Sequence, residues 1–161
     1  METWFVKSIV ATVTIVPAFI AIPFFKFKFG IDPLVFLVWN FGAIAVAIAV
    51  YLGMGGRGDE LVPPMPQLAV IIAIGIVFGA LANGSLFQAI GLAPNPGLPP
   101  VIYASSSLVV FFLSAVLAGS FPALFKPANF ELSRMTGIIL VIAGLYLLAG
   151  GRIGNPFRSM A

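Results

Sequence analysis

The chain has 161 residues, 61% hydrophobic and only 8% charged, with a mean hydropathy of +1.15. Soluble domains carry roughly a quarter charged residues, so a chain this apolar has too little polar surface for water and its solvent is expected to be lipid. The absence of Cys and His excludes thiolate chemistry and most zinc, haem and copper sites, and a net charge of +3 scattered without a basic run leaves nucleic-acid binding unsupported.

The charged residues punctuate the chain. Between Lys7 and Lys26 lies an uncharged stretch, Ser8 to Phe25, long enough to cross a hydrocarbon core of about 30 Å. A first span is therefore expected over 4–25. Its continuation, with Phe24, Phe25, Phe27 and Phe29 interleaved with Lys26 and Lys28, reads as an interfacial anchor and not as the cleavage region of a signal peptide. A second span is expected over 33–53, ahead of the charged, glycine-rich stretch Gly55 to Glu60. The uncharged region from Leu61 to Phe125 is too long for one helix. The string Pro94-Asn95-Pro96-Gly97-Leu98-Pro99-Pro100 cuts it, giving spans over 67–92 and 100–119. A last span is expected over 135–150. The fold class is thus all-α, a polytopic bundle of five transmembrane helices forming a single integral membrane domain over 1–161. The connection from Phe121 to Arg134, with Phe121, Phe125 and Phe130 among Pro122, Lys126 and Pro127, is expected to lie along the membrane surface.

Small residues recur at helical spacing within these spans: Gly75 and Gly79, Ala43 and Ala47, Ala45 and Ala49, Ala115 and Gly119. Such faces allow close backbone approach between helices in lipid, within one chain or between chains. The polar residues inside spans are few. Ser and Thr can return a hydrogen bond to their own helix, but Asn40, Asn83 and Gln88 need partners in hydrocarbon. Two readings stand for them, a polar substrate cavity or plain interhelical hydrogen bonds. Pro17 and the Pro99-Pro100 pair are places where a helix could kink. No acidic residue lies within a span, which disfavours proton-driven exchange by a lone chain. No acid/base pair or nucleophile beside a base is present, so the chain is not expected to be an enzyme, and no cofactor or metal is expected.

The stretch GALANGSLFQAIGLAPNPGLPPVIYASSSLVVFFLSAVLAG at Gly79–Gly119, followed by GIILVIAGLYLL at Gly137–Leu148, resembles the last three helices of an EamA-type repeat of the drug/metabolite transporter superfamily. The shared features are an Ala-rich helix end, a short Asn/Pro/Gly turn, a helix with a Ser-containing middle, and a final helix with the glycines Gly137 and Gly144. The resemblance covers a little under half the chain, and the first two spans match only in number and spacing. Many family members carry a Glu after the Gly that ends the fourth helix, whereas here Ser120 follows Gly119. Members commonly have two such five-helix repeats in inverted orientation around a substrate cavity. A single repeat would need a second copy, or another membrane protein, to complete one.

Five spans put the termini on opposite sides, with Lys7, Arg57, Lys126 and Arg134 on one and Lys26, Lys28, Arg152 and Arg158 on the other. This balance gives no positive-inside bias, so dual insertion as an antiparallel homodimer and a fixed orientation imposed by a partner both stand. Two functional readings follow. The resemblance implies a half-size transporter of a small organic or lipid-linked metabolite, working as a dimer in a bacterial inner membrane, with Asn40, Asn83, Gln88, Tyr103 and Ser106 as substrate-binding candidates. The alternative is a non-transporting accessory or scaffold subunit packed in a larger membrane complex, with the lipid bilayer as a common partner of both.

Overall fold

The computed structural model describes residues 3–125 and 131–148, and among these every regular element is helical. In chain order they are α1 (Thr3–Phe29), α2 (Pro33–Met54), a 3-10 turn (Gly58–Leu61), α3 (Met65–Ile74), a π-helical segment (Gly75–Gly79), α4 (Ala80–Leu92), α5 (Leu98–Ala104), α6 (Ser106–Ser120) and α7 (Leu132–Leu148). The α3, π and α4 segments run on as one helix, Met65–Leu92. Four helices are long and apolar enough to cross a membrane: Thr3–Phe29, Pro33–Met54, Met65–Leu92 and Leu98–Ser120. The apolar part of the fifth, Met135–Leu148, is shorter; the expected end of that span at 149–150 lies outside the described residues. Of the surface segment expected over 121–134, Phe121 to Phe125 forms a turn closed by Phe125 N–H donating to Phe121 O at 3.0 Å, and 126–130 lie outside the described residues.

The chain divides into two compact units, Met1–Pro96 and Gly97–Ala161. In the first, the α1–α2 hairpin is fixed by local chemistry. Gly30 takes a positive φ of 67° and its N–H reaches back to Lys26 O at 3.0 Å, ending α1 in a left-handed cap. Two residues on, the Asp32 carboxylate accepts from Leu34 N–H at 2.7 Å as N-cap of α2, and Pro33 occupies the first helical position, where its missing N–H costs nothing. The far end of α2 closes in a Schellman motif around Gly56, at φ 73°. Gly56 N–H donates to Gly53 O and Arg57 N–H to Leu52 O. The following turn is clipped by Arg57, whose Nε donates to Glu60 Oε1 at 2.8 Å while its other arm meets Oε2. That pairing holds the Glu60 carboxyl below its ordinary range and raises Arg57. A depressed carboxyl favours the closed turn above the usual carboxylate range, and the benefit is lost as pH falls through the folded value. Both groups are fully exposed, so solvent screens the pair.

The buried core of this unit is small and lies at its hairpin end. Ile22 from α1 and Leu86, Phe87 and Ile90 from α4 are buried together, with Phe19, Phe36 and Leu37 packed against them. The Phe87 ring sits edge-on to Phe41 at 5.9 Å and beside Phe36 at 6.3 Å. Helix ends are also joined there: Lys26 Nζ donates to Gly91 O at 2.6 Å. A Cβ on Gly91 would lie 2.6 Å from Pro33 Cγ and 3.4 Å from Lys26 Cδ, so only glycine lets α4 come this close. Away from this end, residues 3–17 of α1, 42–54 of α2 and 65–79 of the third helix include no buried residue. The Gly75–Gly79 face belongs to this open half. A Cβ on Gly75 meets nothing within 4 Å, and on Gly79 only Ile74 O of its own helix.

In the second unit the span Leu98–Ser120 is broken at Ser105. Ser105 N–H donates to Ile102 O and Leu108 N–H to Ser105 O, both at 3.0 Å, so the turn tightens from i−4 to i−3 bonding where α5 gives way to α6. Helix α5 packs against both α6 and α7.

The two glycine environments predict opposite outcomes. Gly91→Ala should destabilise the protein by about 1–3 kcal/mol, as overpacking does. Gly75→Ala, placed in open space, should be neutral or stabilising by up to about 1 kcal/mol. Thermal unfolding of the monomeric, detergent-solubilised chain followed by circular dichroism separates them.

Candidate functional site

An apolar span has few polar atoms to spend, so their destinations define what chemistry is available. Most go home. Ser8 donates to Trp4 O, Thr12 to Ser8 O, Thr14 to Val10 O and Thr136 to Leu132 O, all at 2.8–2.9 Å along their own helices. Asn83 behaves the same way: its amide donates to Gly79 O at 2.9 Å, capping the last carbonyl of the π segment. This residue is half-buried between α4 and its neighbours, with its amide nitrogen already committed.

The other candidates sit apart. Asn40 is half-buried on α2 and lines a groove of about 370 Å³ with Phe25, Ile31, Val35, Phe36 and Trp39, at the hairpin end of the first unit. Gln88 is exposed, on a different face of α4 from the buried Phe87 and Ile90. In the second unit, Tyr103 and Ser106 are exposed. The groove that Asn40 lines takes in neither Asn83 nor Gln88.

What the second unit does assemble is a groove of about 260 Å³ at the helix break. Ser105 and Ser107 line it from one side, and Val141, Gly144 and Leu145 of α7 from the other. Ser105 Oγ donates to Ile102 O and Ser107 Oγ to Ala104 O, each at 2.6 Å. Each hydroxyl therefore faces the groove with acceptor lone pairs only. Gly144 has no side chain to fill the space, and a Cβ there would meet nothing within 4 Å. Sequence reasoning selected Ser106 from the Ser105-Ser106-Ser107 run, whereas its two neighbours line the groove. In a regular helix residues two apart point to nearly opposite sides. The break at Ser105 resets the helix direction and brings both to one groove, a result no fixed period could foretell.

The groove offers weak acceptors, apolar walls and no titratable group. Among the described residues no three His, Cys, Asp or Glu side chains come together. Its chemistry is that of contact and shape.

Since the Asn83 bond is internal to its helix, Asn83→Leu should change stability by less than about 1 kcal/mol, the scale of polar contacts in membrane bundles. Phe87→Ala, which empties the core, should cost about 3–5 kcal/mol. Parallel denaturant titrations in the same detergent test the contrast.

Compared with family models, with curated proteins and with solved structures, the chain matches none.

Proposed function

We propose that the chain is an integral membrane protein of the EamA half-repeat type, which pairs with a second five-helix chain to transport a small organic or lipid-linked metabolite. Four helices of sufficient length and apolarity support the membrane part of this reading. The transport part rests on the resemblance over Gly79–Leu148, and on one observation above all: the span Leu98–Ser120 is interrupted at Ser105, after its first seven residues, beside a groove and opposite Gly144. Broken helices line the substrate sites of many transporters, because irregular backbone is tolerated at membrane depth only where protein or a cavity surrounds it. The bacterial inner membrane follows from the same resemblance.

A second reading, a non-transporting subunit of a larger membrane complex, is favoured by a separate observation. The groove that Asn40 lines takes in neither Asn83 nor Gln88, and among the described residues the half of the first unit away from its hairpin contains none that is buried. A chain whose function is to be packed against would present such a face.

Two measurements decide. The particle gently extracted from its native membrane should have the mass of two five-helix chains; a large particle containing other proteins would favour the subunit reading. In proteoliposomes, Gly144→Leu should fill the groove and lower uptake by an order of magnitude or more, with membrane abundance unchanged. Uptake at the level of the unsubstituted protein would remove the groove from any transport path.

A further inference from the structure

Two lysines at the hairpin end of the first unit stand two residues apart and have different surroundings. Lys26 is half-buried, its stem against Gly91 and its ammonium on Gly91 O at 2.6 Å. Lys28 is exposed, and its ammonium lies 5.3 Å from the centre of the Phe24 ring and 5.6 Å from that of Phe29. Both rings are themselves about half exposed, at 49% and 56%, and the neighbouring Phe27 is 80% exposed. Among the described residues no carboxylate forms an ion pair with Lys28. Among the described residues the ion pair is Arg57–Glu60, at the other end of α2, and the nearby Asp32 is spent on Leu34 N–H at 2.7 Å.

We propose that Lys28, framed by Phe24 and Phe29, binds the phosphate of an anionic phospholipid at the membrane surface, and that Lys26 takes no part in this contact. The proposal rests on the membrane reading above. Lys28 stands at the end of the apolar helix α1, and a lysine there carries its ammonium out to the interface, among the lipid phosphates. Ring faces attract the ammonium electrostatically, yet they leave its N–H donors for phosphate oxygens. Charge complementarity names the occupant: an exposed cation with no counter-ion of its own, held at the depth where lipid phosphates lie. Lys26 also has a ring beside it, Phe27 at 6.0 Å, but its ammonium is already committed to Gly91 O at 2.6 Å.

The test uses the full chain reconstituted in phosphatidylcholine vesicles with and without phosphatidylglycerol, reading the lipid retained by native mass spectrometry and the melting temperature. The unsubstituted protein should retain phosphatidylglycerol preferentially and melt higher in its presence. Lys28→Gln should reduce that retention about fivefold, the contribution of one surface lysine near anionic lipid. Lys28→Arg should restore most of it. Lys26→Gln should melt lower in both lipids while keeping the preference. Retention by Lys28→Gln equal to that of the unsubstituted chain would overturn the proposal, as would a preference that disappears with Lys26→Gln. So would a Lys28→Gln chain that loses its partner but keeps its lipid, which would assign the ammonium to an acidic side chain of that partner. A chain that fails to enter vesicles at all would instead overturn the membrane reading, an outcome distinct from insertion without lipid preference.

Discussion

The ammonium of Lys26 on the carbonyl of Gly91 is the contact around which the first unit is arranged. The last carbonyls of any helix lack partners within it, and they carry the negative end of its dipole. A cation delivered from α1 answers both needs. Its delivery requires α1 to end beside α4, and Pro33 to pass over the bare backbone of Gly91 at the start of α2. The buried side chains Ile22, Leu86, Phe87 and Ile90 lie within two turns of this meeting point along their helices. Three helices that part from one another farther on are thereby given a common origin.

How much of this could be read from the chain itself depended on the range of the interaction. Charge punctuation and proline set the expected spans; α2 and Met65–Leu92 start and stop near those marks, whereas α1 runs on through Lys26 and Lys28 to its cap at Gly30. Local turn chemistry at Gly30, Asp32-Pro33 and Gly56 uses residues that state their own role. The partner of Lys26 lies 65 residues away, and nothing near Lys26 points to it. The Gly75–Gly79 pair, readable as a packing face toward this chain or another, coincides with a π segment, and neither glycine meets another helix of the unit. At the Ser105 break it is Ser105 and Ser107 that line the groove.

The candidate polar residues teach a related lesson. Asn83 spends its amide donor on Gly79 O in the turn before it. An amide in an apolar span needs a partner, but the need does not specify where the partner lies. Asn40 and the Ser105–Ser107 groove belong to different units, each shallow, each lined mostly by hydrocarbon. On the transport reading, selectivity would come from the shape of a cavity completed by a second chain, with few directional contacts to fix the orientation of its contents.

The position of the core also sets the order in which the protein can be made. A ribosome releases α1 and α2 long before Leu86, Phe87, Ile90 and Gly91 exist, and those residues supply most of the core. Until α4 follows, the hairpin has its turn but no interior, and Lys26 has no carbonyl to bind. The nascent hairpin must wait for the third helix to arrive, on the membrane reading with that ammonium in the hydrated headgroup layer. The turn built from Gly30, Asp32 and Pro33 therefore acts as a timekeeper: it stores the register of α1 against α2 during synthesis, before any packing can enforce it.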